Sequence, residues 1–242
     1  AALKGHQSRP HGEPTNIARV SMPHAAPAIV SDAQTMEDAA RQAASARDLD
    51  ELRAALMAFE GCNLKRTAKN LVFGDGNPKA RIMFVGEAPG RDEDIEGVPF
   101  VGRSGELLNR MLDAIGLSRT DDVYIANIVP WRPPGNRTPT PLEITLCRPF
   151  IERQIALVGP DLLIPLGAPS ARELLGTTEG IKKIRGRSKT CEIGGKTMVA
   201  IPTLHPAYLL RQPAEKRLVW QDFLAIRARL DTIPRQVTSG GA

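Results

Sequence analysis

The sequence predicts an α/β domain, a three-layer sandwich whose central, mainly parallel four-stranded sheet is flanked by helices. Three observations predict it. Short apolar runs suited to buried strands occur at 82–86, 123–128, 161–166 and 198–203. Helical periodicity and helix stop signals fill the intervals between them. A glycine-containing acidic segment follows the first run and a His-Pro segment the last, where a buried strand must end and turn.

The elements follow in order. Residues 1–34 are rich in Pro, Ala, Ser and His without an apolar period and read as a disordered arm. The folded domain is expected over 35–232, with a flexible tail at 233–242. Leu49, Leu52, Leu56 and Phe59 fall at helical spacing, so one or two helices precede the sheet. Leu107, Leu108, Met111, Leu112 and Ile115 form one apolar face behind Ser104 and Gly105, and Gly116 stops that helix. Thr140-Pro141-Leu142-Glu143 is a capping box with proline at the first helical position, opening a helix to about Val158. A short helix over 169–175 is closed by Gly176, and a last one runs from about 214 to 230. Gly194-Gly195 between β-prone runs predicts a hairpin feeding the last strand.

Composition narrows the classes. With 242 residues and 42% apolar content, the chain can bury a sizeable core. It has no run of about 18 apolar residues to span a membrane and no apolar signal-peptide core, so a cytoplasmic location is expected. Three cysteines do not make a disulfide framework. A net charge of +5 is compatible with a polyanionic partner without demanding one.

Two distant segments carry the candidate chemistry. Gly86-Glu87-Ala88-Pro89-Gly90-Arg91-Asp92-Glu93-Asp94 follows the first strand, and Thr203-Leu204-His205-Pro206-Ala207-Tyr208 follows the last, carrying the one histidine outside the arm. Loops at the carboxyl ends of parallel strands converge on one crevice. Asn127 ends another strand and offers an amide acceptor and donors, although an Asn there also terminates strands by bonding its own backbone. His205 before proline equally reads as a structural residue.

Gly86-Glu87-Ala88-Pro89-Gly90 through Pro99-Phe100-Val101-Gly102-Arg103, then Asn127-Ile128-Val129, Arg132 to Thr140, and His205-Pro206-Ala207 resemble the uracil-DNA glycosylase superfamily. The closest likeness is to its family 4 group, over roughly residues 59–230. The resemblance implies a DNA-repair enzyme that flips uracil from DNA and hydrolyses its glycosidic bond, leaving an abasic site. It implies that Asn127 reads the uracil edge, that Phe100 stacks on the ring, and that His205 donates to O2 as negative charge develops there. Glu87 and Glu93 are the acidic candidates for handling water or countering the sugar cation, with their roles undivided; Glu93 equally walls off the C5 side. Ala88 stands where related glycosylases carry a water-activating aspartate.

DNA contacts are expected from Ser104 at a helix start, and from Lys182, Lys183, Arg185, Arg187 and Lys189, five cations within eight residues. Leu209, or its neighbour Leu210, beside Arg211 resembles the family's wedge for a flipped base, although either leucine equally begins a core helix. Family 4 members hold a four-iron four-sulfur cluster on four cysteines. The corresponding positions here are Phe59, Cys62, Trp131 and Cys147, so two ligands are missing and no cluster or other metal is expected. Expected partners are uracil-containing and abasic DNA, bound by a monomer, with nucleoid-associated activity in a bacterial cytoplasm. The competing reading is a uracil- or abasic-site binding module without turnover. A hydrolase or transferase of small molecules lacks support, since no Gly-x-Ser-x-Gly elbow, P-loop or Gly-x-Gly-x-x-Gly motif occurs.

Overall fold

The structure, a computed structural model, describes residue 2 and residues 31–233. Helices α1 (Asp32–Ser45) and α2 (Leu49–Ala58) precede the sheet, each started by a side-chain cap: Ser31 accepts from the Gln34 N–H and Asp48 from the Glu51 N–H. The first helix thus begins inside the span expected to be a disordered arm. Its Ser31 cap and its buried Ala39 and Ala43 face give those residues a reason to fold. The remainder of that arm, and the tail from 234, lie outside the described residues. A single turn, α3 (Leu64–Thr67), leads to the two-residue strand β1 (Asp75–Gly76).

The four sequence-predicted strands form the parallel core. They are β2 (Ile82–Gly86), β3 (Val123–Asn127), β4 (Leu162–Pro165) and β6 (Lys196–Ala200). The sheet has six strands rather than four. Its order is β1-β3-β2-β4-β6-β5, with β1 and β5 (Lys189–Ile193) paired antiparallel at the two edges. The β5–β6 hairpin turns at Gly194-Gly195, both at positive φ, as the sequence indicated. The outer strand keeps Lys189, Thr190 and Glu192 exposed.

Helices cover both faces, α7 (Ala168–Leu175) following β4 and the single turn α8 (Ile181–Ile184) preceding β5. On one side α1, α2 and α6 (Pro141–Val158) pack against Met83, Val85, Tyr124 and Leu163. On the other, α5 (Arg103–Asp113) and α10 (Lys216–Thr232) cover Ile82, Phe84, Ile125 and Ile164. Alternate residues of β2 thus enter different cores, as the period of a strand buried on both faces requires. The Thr140 capping box is present, with Glu143 reaching back to the Thr140 N–H at 2.7 Å.

A buried ionic network joins the last helix to the segment after the last strand and to the basic loop. Asp222 accepts from Thr203 Oγ1 at 2.6 Å and from Arg185 Nε at 3.0 Å, while Arg185 also donates to the Leu218 carbonyl. Removing one partner of a buried pair leaves an uncompensated charge, which costs about 3–5 kcal/mol when burial is complete. Arg185 keeps some exposure, so Asp222→Ala is expected to lose about 3 kcal/mol in urea unfolding at neutral pH. A loss below about 1 kcal/mol would mean that the guanidinium finds solvent instead.

Candidate active site

The carboxyl ends of β2, β3, β4 and β6 open on a cavity of about 660 Å³, a size suited to a small organic ligand. Backbone pairing continues past the strands and fixes its walls. The Ile128 N–H donates to the Gly86 carbonyl and the Val129 N–H to Glu87, each at 3.0 Å, so Glu87 and Asn127 leave the sheet side by side. The Gly167 N–H donates to the Thr203 carbonyl at 2.8 Å, tying the exit of β4 to the segment before His205.

Gly86 lies opposite Asn127 in register. A Cβ on Gly86 would overlap Asn127 Oδ1 and stand 2.9 Å from the Phe100 ring, so only glycine leaves both side chains in place. Asn127 is 4% exposed, and among the described residues its amide makes no protein hydrogen bond. The reading of Asn127 as a strand terminator bonded to its own backbone therefore fails. Its donors and acceptor are uncommitted in the cavity lining.

Phe100 lines the cavity with its backbone at φ 54°, in the left-handed region that costs a bulky residue about 1–3 kcal/mol. Its ring centroid is 5.4 Å from that of His205, tilted by 33°. His205 caps α9 (Pro206–Arg211) by accepting the Ala207 N–H at Nδ1, 3.1 Å away. Burial first, then the nearby Arg211 charge, lowers its pKa from 6.5 to about 4. The ring is therefore neutral near pH 7, and with Nδ1 accepting, its proton resides on Nε2 as a donor.

The two acidic candidates separate by their partners. Glu93, in α4 (Arg91–Glu96), accepts the Gly90 N–H at Oε2 and the Gly102 N–H at Oε1, so its carboxylate clasps the loop before α4 to the loop before α5. Glu87 lines the same cavity with Oε1 buried and unpartnered, and burial raises its pKa. Among the described residues Glu87 is the carboxylate with a vacant acceptor in the cavity. Ala88 also lines it and adds no polar group.

Ser104, Lys182 and Arg211 stand in the cavity lining, Arg211 and Lys182 on its exposed rim. Lys183 and Arg187 are exposed outside that lining. Lys182 and Lys183 pair with Glu215 at 2.7 Å and Glu179 at 2.5 Å, exposed bridges that polyanion binding can displace. Two expectations need correction. Arg185 is no free phosphate ligand, because Asp222 and the Leu218 carbonyl hold it inside the protein. Leu209 is no surface wedge: it is 0% exposed, packed into the core beneath α9, while Tyr208 and Leu210 remain partly exposed.

The sequence assigned no site role to two walls, the first of which lies in the Arg132–Thr140 stretch that carries part of the resemblance. The loop at 133–139, with Asn136 at φ 57°, is braced by Arg132 Nε donating to Asn136 Oδ1 at 2.6 Å and by an Arg137–Glu143 pair. The wall at 166–169 follows β4 directly, and the convergence of strand ends would have found it. Gly167, at φ 90°, lets the His205 side chain approach; a Cβ there would stand 3.1 Å from that of His205.

The profile of the uracil DNA glycosylase superfamily matches residues 73–224, which spans every wall of this cavity. The chain belongs to that superfamily. A type-4 uracil-DNA glycosylase of Saccharolobus solfataricus is 42% identical over 192 residues, covering 77% of this chain and 88% of the relative. Type-4 uracil-DNA glycosylases of Archaeoglobus fulgidus, at 41% over 74% of this chain and 91% of theirs, and of Thermotoga maritima, at 45% over 66% and 83%, are similarly related.

The four-cysteine cluster implied by resemblance to family 4 does not fit the residues present. Phe59, Cys62, Trp131 and Cys147 are each at most 2% exposed and belong to one apolar core. Phe59 packs against Phe150 with ring centroids 5.2 Å apart and planes tilted by 52°, and its ring crowds the space beside Gly61. The Cys62 and Cys147 thiols are hydrogen-bonded to each other, which lowers the pKa of Cys62 and, with burial, raises that of Cys147. Among the described residues no group of three or more His, Cys, Asp or Glu could hold a metal ion.

The depressed His205 pKa has a measurable consequence. Between pH 6.5 and about 4 the unfolded imidazole binds a proton that the folded one does not. Its stability contribution is therefore complete above 6.5 and declines as pH falls towards 4. The unfolding free energy of wild type relative to His205→Ala should shrink on acidification across that window; a constant difference would show an unperturbed imidazole.

Proposed function

We propose that this protein is a uracil-DNA glycosylase that draws uracil out of DNA into the cavity, hydrolyses its N-glycosidic bond and releases an abasic site. The observation that carries the reading is the pairing of a neutral His205 donor with the uncommitted Asn127 amide in one cavity beside the Phe100 ring. The match of the superfamily profile and the type-4 relatives support the same activity. Extracting a base costs a few kcal/mol of stacking and pairing, and base–aromatic stacking returns about 1–3 kcal/mol.

In this reading the Asn127 amide accepts from uracil N3–H and donates to O4, a pattern that cytosine reverses. Phe100 takes the face of the ring. As the glycosidic bond lengthens, electrons flow into the uracil ring, and the His205 Nε2–H meets the charge growing on O2. A single preorganised donor of this kind is worth roughly 10²- to 10³-fold in rate. Glu87, with its vacant oxygen, orients water towards the anomeric carbon and stabilises the sugar cation, while Glu93 holds the loops. Ser104, Lys182, Lys183, Arg187 and Arg211 face the DNA backbone, and Tyr208 or Leu210 fills the gap left by the extruded base. The protein works as a monomer, in the cytoplasm, on chromosomal DNA. No helix among the described residues is long and apolar enough to cross a membrane.

We further propose that the fold needs no iron–sulfur cluster, since aromatic packing fills the space around Cys62 and Cys147. Protein purified under anaerobic, iron-replete conditions should carry no stoichiometric iron and no visible absorption band. Stoichiometric iron that tracks with activity would refute this.

Uracil release from a single-uracil oligonucleotide tests the main reading. Wild type is expected to excise the base, and His205→Ala to be slower by about 10²-fold or more. Asn127→Ala should lose about 1–3 kcal/mol of discrimination for uracil over cytosine. A wild type that binds this DNA yet leaves the base attached would make it a binding module. For Glu87, kcat/KM should fall on acidification through a pKa above the ordinary carboxylate value, and Glu87→Gln should lack that limb. The same limb persisting in Glu87→Gln would transfer the role to another group.

A further inference from the structure

Phe100 is one of two non-glycine residues at positive φ among those described, so something outside its own loop must hold it there. The surrounding contacts identify the holder. Arg119, in the loop after α5, donates from Nη2 to the Pro99 carbonyl at 2.6 Å and from Nη1 to the Phe100 carbonyl at 3.1 Å. The φ torsion of Phe100 runs from the carbonyl carbon of Pro99 to its own carbonyl carbon. A planar guanidinium that grips the oxygens on both carbons therefore restrains that torsion directly.

The guanidinium is itself held. Its Nε donates to Asp75 Oδ2 at 2.8 Å, and Nη1 donates also to Asn109 Oδ1 at 3.0 Å. Asp75 belongs to the two-residue edge strand β1, whose Gly76, at φ 100°, lies so near that a Cβ there would stand 2.9 Å from the Arg119 carbonyl oxygen. A Cβ on Gly105 would overlap the Phe100 carbonyl, so α5 packs directly against the same peptide. An edge strand, a helix and a loop thus converge on one backbone angle. That angle decides where the Phe100 ring stands relative to Gly86 and His205.

We propose that Arg119 is a positioning residue for base recognition: by fixing the Pro99 and Phe100 carbonyls it sets the attitude of the ring on which the extruded base stacks. Arg119 acts only through Phe100. Lysine cannot replace it, because a single ammonium lacks the rigid fork that spans two carbonyls while also meeting Asp75. The proposal rests on the stacking role given to Phe100 above.

Inhibition of uracil release by free uracil reads the base platform without DNA-backbone contacts. Arg119→Ala and Phe100→Ala are each expected to weaken uracil inhibition by about tenfold, within the range that stacking supplies. The double variant should be no more than about twofold weaker than Phe100→Ala alone, since two changes acting through one group do not add. KM should rise more than kcat falls, and Arg119→Lys should behave like Arg119→Ala. Asp75→Asn, which loosens the guanidinium while keeping its bulk, supplies a milder variant with the same signature should Arg119→Ala fail to fold. Losses that multiply in the double variant, or unchanged uracil affinity in folded Arg119→Ala and Asp75→Asn, would overturn the proposal while leaving Phe100 its role. Unchanged uracil affinity in Phe100→Ala would remove the stacking reading and this proposal together.

Discussion

The site depends first on how closely two parallel strands can end beside each other. Gly86 and Asn127 are register partners, and the missing side chain of the one is the space occupied by the other. The ladder does not stop at the strand ends. Two more backbone bonds carry it into the loops, so Glu87 and Asn127 inherit the rigidity of the sheet. Functional groups supported in this way need no side-chain braces, which leaves the polar atoms of Asn127 uncommitted. The position of the Asn127 amide is thereby set by backbone register rather than by a network of side chains.

Around that fixed floor, residues of one chemical type divide the work according to their partners. Glu87 and Glu93 lie six positions apart on one segment, yet two backbone N–H groups occupy Glu93 while an oxygen of Glu87 remains vacant. The basic loop divides likewise. Arg185 turns inward to Asp222, and through Thr203 that pair reaches the backbone two residues before His205. Of the exposed cations in that loop, Lys182 and Lys183 are held by surface bridges to Glu215 and Glu179, and Lys189 donates to the Leu175 carbonyl. One member of the cluster therefore anchors the loop from which the others project.

The parallel core, both covering layers, the Thr140 helix start and the glycine hairpin were legible in the sequence because each is written in local periodicity, capping or turn chemistry. The convergence of Glu87, Phe100, Asn127 and His205 was legible because parallel strands deliver their carboxyl ends to one side. What stayed hidden depends on pairs distant in sequence. Nothing near Leu209 says that α9 buries it, and nothing near Arg185 announces Asp222, 37 positions later. The edge strand β1 is two residues long and carries no periodicity at all. The division between the two glutamates likewise required knowing that Gly102 folds back onto α4.

The outer hairpin strand has a consequence beyond the active site. Parallel sheets with bare apolar edges recruit strands from other molecules, the first step towards aggregates. Here the terminal strand is antiparallel and lifts Lys189 and Glu192 into solvent, with Lys196 beginning its neighbour. Adding a further strand would bring those charges against a second backbone and strip their water. The charges along this border thus disfavour sheet extension there.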